Sequence, residues 1–155
     1  MICKKIGVDF HGVININPDF FKEFNDFALS QGHEIHIISG GPRDTIEKFL
    51  ALHKIKYTVL WCIFDYFDAK NEVEFLPDGS FHVDDVAWDS AKGEYCRRNG
   101  ICVHVDDSRI YGKYFTTPYC LYDEYGRYGI LNGATIDFSD SAGACLKQIM
   151  LICDN

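Results

Sequence analysis

Apolar positions along this chain recur in two rhythms. An apolar run from Ile6 to Val8 leads into Asp9-Phe10-His11-Gly12, which predicts a strand followed by a loop. Asn17-Pro18 then gives a helix start, an Asn cap with Pro at the first helical position. Phe20, Phe21, Phe24, Phe27 and Ala28 follow at helical spacing as one apolar stripe, and Gly32 stops that helix. His33 to Ile38 reads as a second strand, ending in Ser39-Gly40-Gly41-Pro42. Ile46, Phe49 and Leu50 mark one face of a second helix.

Tyr57 to Phe64, the longest apolar run, is the size of a buried strand. Residues 65–87 lose both rhythms. They are acidic and aromatic, with a turn at Pro77-Asp78-Gly79, so a short hairpin or irregular excursion is expected there. Asp89 or Ser90 is expected to cap a third helix ending at Asn99-Gly100. Ile101 to Val105 makes the next strand and closes on Asp106-Asp107-Ser108. Tyr119 to Tyr122 is a further strand, and Ser141 to Ile152 a final helix carrying Ala142, Cys145, Leu146, Ile149 and Met150.

Strands alternating with single helices imply right-handed βαβ units. The expected fold is α/β, a three-layer Rossmann-like sandwich with a mostly parallel central sheet. Ligands of such sheets bind at the carboxyl ends of the strands. The expected strand ends are Asp9, Ser39 and Asp106-Asp107, so carboxylates and a hydroxyl converge on one edge.

Composition narrows the function without naming it. A length of 155 residues, with no repeat or linker, fits one domain over 1–155. The net charge of −8 argues against an extended grip on nucleic acid or an anionic membrane, which needs clustered Lys and Arg. No apolar run approaches the roughly 18 residues of a membrane span, and the first residues lack a signal-peptide layout. Seven cysteines, scattered and never in C-x-x-C, suit reduced thiols in a cytoplasmic protein better than a disulfide framework or a zinc site.

The segment KKIGVDFHGVI, an apolar strand ending in D-x-x-G-V, resembles the first motif of the haloacid dehalogenase superfamily. The other three motifs of that superfamily can be placed in order. Ser39 in IHIISGG resembles the second, Lys92 in WDSAKGEYCRRNG the third, and Asp106-Asp107 in ICVHVDDS the fourth. The resemblance covers about residues 5–115. It implies a Mg²⁺-dependent phosphohydrolase of a small phosphorylated substrate, with Asp9 as nucleophile through an aspartyl-phosphate. It further implies metal ligation by Asp9, the backbone carbonyl of His11 and Asp107, with Asp106 direct or through water. Ser39 and the Gly40 N–H would hold the phosphoryl oxygens, and Lys92 would neutralise their charge and fix Asp9.

His11 departs from the pattern, since phosphatases of the superfamily usually carry a second Asp there as general acid and base. An imidazole titrates near neutral pH and can take that role. The alternative is a slow or inactive domain that binds a phosphorylated ligand or a protein partner. General acid–base help is worth about 10²–10⁴-fold.

Several other residues compete for attention. Lys70 rivals Lys92, which stands 14 residues before Asp106. Asp84-Asp85 is a second acidic pair, expected in a solvated loop. Arg43, just past Ser39, is placed to reach a substrate phosphate, and Tyr111, Tyr114 and Phe115 are candidates for an aromatic wall. His33, His36 and His104 alternate with apolar residues and read as half-buried or surface strand positions. A receiver-like signalling domain is disfavoured, because receivers carry the acidic pair after the first strand. The spacing between motifs leaves no room for a large cap domain, so the site should be open, with 65–87 as its candidate lid.

Overall fold

A computed structural model describes residues 4–154 of the chain. Its first strand, β1 (Lys5–Val8), lies between β2 (Glu34–Ser39) and β6 (Ile101–Asp106) and runs parallel to both. On one side the sheet continues to β3 (Val59–Cys62); on the other it continues to β7 (Tyr119–Tyr122), again in parallel. β8 (Tyr128–Leu131) and β9 (Ala134–Asp137) add an antiparallel edge, giving seven strands in the order β3-β2-β1-β6-β7-β8-β9. The architecture is α/β of the Rossmann-like kind. Strand order reverses at β1, which puts the crevice for a ligand beyond the ends of β1 and β6.

Helices α1 (Pro18–Ser30) and α2 (Arg43–Leu52) connect the first three strands, and α5 (Ala142–Cys153) closes the described chain. Phe21, Phe24 and Ala28 of α1 share one buried cluster with Leu50 of α2 and Leu146 of α5; Ile6, Val8, Ile35 and Ile37 of the sheet complete it. Ile38, the next residue along β2, belongs instead to a cluster with Tyr95 and Cys96. That alternation is the two-residue period of a strand buried on both sides. Phe27 breaks the expected stripe, being 39% exposed. Pro18 sits in the first turn as expected, but Asn17 forms no side-chain cap; its amide donates to the Tyr122 hydroxyl at 3.4 Å.

Three expectations need correction. The apolar run from Tyr57 yields only a four-residue strand, because Ile63 and Phe64 open α3 (Ile63–Ala69). Ile63 and Phe67, one helical turn apart, bury together against Val83 and Ala91, a spacing that a continuous apolar run conceals. The short hairpin expected within 65–87 is present as β4 (Glu74–Phe75) and β5 (Phe81–His82), turning at Pro77-Asp78-Gly79, but it follows this helix. The third helix, α4 (Asp85–Asn99), begins earlier than Asp89. Asp84 caps it, accepting from Ala87 N at 3.0 Å, so the Asp84-Asp85 pair opens a helix rather than lying in a loop.

The β8–β9 hairpin was not expected at all. Its turn, Asn132-Gly133, holds both residues at positive φ (51° and 80°), the geometry for which Asn-Gly is favoured. Six cysteines are free thiols, and Cys3 lies outside the described residues. No helix is long and apolar enough to cross a membrane among the described residues.

Phe21 is fully buried and its ring meets those of Phe20, Phe24, Tyr122 and Phe138. Phe21→Ala is expected to lower unfolding free energy by about 3–5 kcal/mol. Urea denaturation measures it, and a loss below about 1 kcal/mol would show that this cluster is not the core.

Candidate active site

Three parallel neighbours, β2, β1 and β6, end at the same edge of the sheet. Asp9 N donates to Val105 O at 2.9 Å, carrying the ladder one residue past β1 and fixing where the Asp9 side chain leaves the sheet. Asp9 is 5% exposed. Its Oδ1 accepts from Phe10 N at 2.8 Å and lies 3.0 Å from Lys92 Nζ.

Lys92 reaches this point from the middle of α4, not from its first turn, because the helix starts at Asp85. It is 2% exposed and also donates to Asp106 Oδ2 at 2.8 Å. Asp106, fully buried, is held by two further donors. His104 Nε2 stands 2.9 Å from the same Oδ2, and Ser108 N donates to Oδ1 at 3.0 Å. The Tyr111 ring lies against the ammonium, its centroid 4.9 Å from Nζ.

These contacts separate the two carboxyls. Burial pushes Asp9 well above the usual carboxylate range; Lys92 opposes that, and the charge of Asp106 adds to it. Burial pushes Asp106 upward as well, but Lys92 and the His104 hydrogen bond outweigh it and hold this carboxyl below the usual range. Burial disfavours the Lys92 ammonium, yet the two carboxylates more than offset this and raise its pKa. Asp107, at the exposed rim, is raised by partial burial and by its neighbour Asp106. One lysine thus faces three acids, and the site carries excess negative charge.

That excess matches a divalent cation. Asp9, Asp106 and Asp107 each offer an oxygen within 4.8 Å of the others and could hold a metal ion. Gly12, at φ +81°, makes room for this arrangement, since any Cβ there would overlap the Asp107 carboxylate. A set of carboxylate oxygens suits a hard cation.

His11 and Ser39 face the same pocket of about 370 Å³, together with Asp9, Lys92, Asp107 and Tyr111. His11 Nε2 lies 3.0 Å from Gly41 O. A carbonyl only accepts, so Nε2 carries the hydrogen and Nδ1 remains for proton exchange. Ser39 is fully buried, and its Oγ has no hydrogen-bond partner among the described residues. A buried hydroxyl left unpaired costs about 1–3 kcal/mol, so the position makes physical sense as a donor awaiting a ligand oxygen.

Other candidates lie elsewhere. Arg43 does not join the pocket. Its guanidinium donates to Asp65 at 2.8 Å, to Leu60 O at 2.6 Å and to Glu47 at 3.4 Å. Lys70 is exposed and pairs with Glu72 at 3.5 Å. Phe115 stacks on His104 at 5.1 Å, beneath the site rather than in its wall.

Sequence reasoning misplaced all three strand histidines, since His33, His36 and His104 are buried rather than half-exposed, and of these His104 enters the site. Two signals pointed to it. It lies two residues before Asp106, on the same face of β6, and it pairs across the sheet with Gly7. A Cβ at Gly7 would come within 2.7 Å of His104 Nδ1, so a glycine in an apolar strand marks the space for this ring. Comparison with protein-family models, with curated proteins and with solved structures finds no match to this chain.

His104 Nε2 faces Asp106 and its Nδ1 is buried without a partner among the described residues, so protonating Nδ1 places a charge in a dry site. Burial lowers its pKa from the ordinary 6.5, with the Asp106 bond opposing. The unfolded chain then binds a proton that the folded chain refuses, and stability falls as pH drops through 6.5 towards the folded value. Urea titrations from pH 7.5 to 5.5 in chelator, compared between the wild type and His104→Asn, cancel the opposing contribution of the raised Asp9 and isolate this fall, with a limiting difference in slope of about 1.4 kcal/mol per pH unit for one group. Identical slopes in the two proteins would remove His104 as its source.

Proposed function

We propose that this chain is a phosphomonoester hydrolase of the haloacid dehalogenase-like superfamily that works with Mg²⁺ and forms an aspartyl-phosphate on Asp9. We further read the fold as a three-layer sandwich forming one domain without a large cap. The observation that carries the functional reading is the buried Asp9–Lys92–Asp106 array sharing one pocket with the unpartnered Ser39 hydroxyl. Arrays of this kind gain little as structural salt bridges, because desolvation offsets most of the attraction between the charges. They suit a site where negative charge must be gathered, held and moved.

The roles follow from position. In the first step an Asp9 carboxylate oxygen attacks phosphorus, the bond from phosphorus to the ester oxygen breaks, and the leaving oxygen takes a proton from His11. In the second, His11 accepts a proton from water as that water attacks phosphorus, releasing inorganic phosphate and restoring Asp9. Lys92 holds Asp9 on its attack line and shares its charge with the phosphoryl oxygens. Ser39 donates to one of those oxygens, with the Gly40 N–H beside it. Asp9, Asp107 and the His11 carbonyl, with Asp106 direct or through water, would hold Mg²⁺, which would supply the charge neutralisation that lets a carboxylate approach a phosphate. The carboxylate donor set is the reason for choosing Mg²⁺ over a thiolate- or imidazole-seeking metal.

Generic phosphomonoesters should be hydrolysed with Mg²⁺ and not in chelator, and Asp9→Asn should abolish turnover. Release of phosphate by Asp9→Asn, or indifference to Mg²⁺, would overturn the mechanism. His11→Ala is expected to lose about 10²–10⁴-fold in kcat and the matching limb of the pH–rate profile. Binding of Mg²⁺ and phosphate without any turnover would instead assign the chain to a non-catalytic phosphate-binding role.

Ser39→Ala separates function from folding. Since Oγ has no partner among the described residues, its removal should leave urea stability unchanged or raise it by about 1 kcal/mol, while kcat/KM falls. Equal loss of stability and activity would make Ser39 a structural residue.

A further inference from the structure

A second pocket, of about 330 Å³, adjoins the candidate active site and shares Gly40 with it. Its walls are aromatic, with Phe64 from α3, Phe75 and Phe81 from the β4–β5 hairpin, and Trp88 from α4. Phe81 stands edge-on to Phe64 at 4.8 Å and tilted to Trp88 at 5.7 Å; Phe75 meets Phe64 at 6.2 Å. Two of these rings remain open to solvent. Phe75 is 65% exposed and Phe81 44% exposed, although they are directly paired across the hairpin. Clustered exposed rings differ from scattered surface apolar residues and mark a place where something binds.

The lining also says what it would reject. It contains no charged side chain. Two of its backbone carbonyls are already engaged, Gly40 O by Phe64 N at 3.2 Å and Gly41 O by His11 at 3.0 Å. A sugar or a charged group placed here would leave polar atoms unpaired. Trp88 ties the pocket to the chemistry, since its indole N–H donates to the Tyr111 hydroxyl at 3.3 Å and the Tyr111 ring covers Lys92.

We infer that this pocket receives a flat, uncharged aromatic ring carried on the alcohol side of the phosphomonoester, so that the substrate class is an aromatic rather than a simple alkyl or sugar phosphate. The phosphoryl group lies among Ser39, Asp9 and Lys92, and the leaving group extends across Gly40 into the aromatic slot. The inference rests on the proposed hydrolase for the direction of the ester, but its test does not require turnover.

Calorimetric titration in Mg²⁺ with 2-phenylethylphosphonate, 2-cyclohexylethylphosphonate and ethylphosphonate compares flat ring, apolar bulk and neither. The phenyl compound should bind at least about tenfold tighter than the ethyl one, and tighter than the cyclohexyl one. Phe75→Ala and Phe81→Ala should bring the phenyl-to-ethyl ratio towards one. Adenosine 5′-monophosphate against ribose 5-phosphate, on Asp9→Asn, tells whether a nucleobase is the ring in question.

Equal binding of phenyl and ethyl compounds, with no preference in the nucleotide pair, overturns the inference. So does an equal preference for cyclohexyl, or one that survives both substitutions. Sedimentation showing a dimer that Phe75→Ala dissolves would also overturn it, by assigning the rings to a second copy. Ring preference without hydrolysis of any phosphate ester keeps the inference and removes the hydrolase. Hydrolysis without ring preference does the reverse.

Discussion

The site depends on one buried ammonium. Lys92 sits between Asp9 and Asp106 at 3.0 and 2.8 Å, almost without solvent, and among the described residues neither carboxylate has another basic partner except His104, whose pKa burial lowers. Taking such ions out of water costs several kcal/mol each, which only close, well-directed contacts can return. The surrounding structure supplies that direction. The Asp84 cap sets where α4 begins and hence where Lys92 lies along it. Gly93, next in the helix, lets the Tyr111–Tyr114 turn approach so closely that a Cβ there would overlap the Tyr114 carbonyl. That approach brings the Tyr111 ring over the ammonium. Helix start, glycine and turn are separate sequence features with one geometric result.

The charge balance of the site follows from the sheet. Parallel strands β1 and β6 are direct neighbours, so the acids that follow them cannot avoid one another. Asp106 resolves the conflict by collecting three donors, and its carboxyl stays ionised; Asp9 has fewer and is driven upward. Two acids of the same type thereby acquire different tasks, a fixed negative anchor and a group whose charge depends on what binds beside it. Ser39 completes the asymmetry. It is the one hydroxyl at this edge whose buried oxygen lacks a partner among the described residues.

Much of this was legible because strand ends are legible. Asp9, Ser39 and Asp106-Asp107 each terminate an apolar run, and the rule that α/β sheets present such ends together needs no side-chain detail. Lys92 was legible only as a position in order, since its contacts depend on a helix start that a short polar stretch hid. Arg43 misled for a local reason. It follows Ser39 closely, but the first turn of α2 aims it at Asp65 and the Leu60 carbonyl. His104 was misread because a polar residue in a strand normally faces water; here the space comes from Gly7 on the adjacent strand, a pairing visible only once register is known. The β8–β9 hairpin carried a signal in Asn132-Gly133, but its alternation was masked because Gly129 faces inward while Ile130 is exposed.

His11 is where local structure bears most directly on chemistry. Its Nε2–H donates to the Gly41 carbonyl, linking the loop after β1 to the loop after β2 across the mouth of the pocket. A carboxylate at this position could not make that link, because two acceptors facing each other repel unless one is protonated. The imidazole therefore ties two loops together, a task separate from the proton transfer proposed for it. It is tethered through one nitrogen while the other stays available, and the same tether fixes the backbone between Asp9 and Gly12. Gly12 in turn accommodates Asp107. An Asp placed at residue 11 would restore the commoner acid–base group of the superfamily that the first motif resembles, but it would release the loop that seats the third acid.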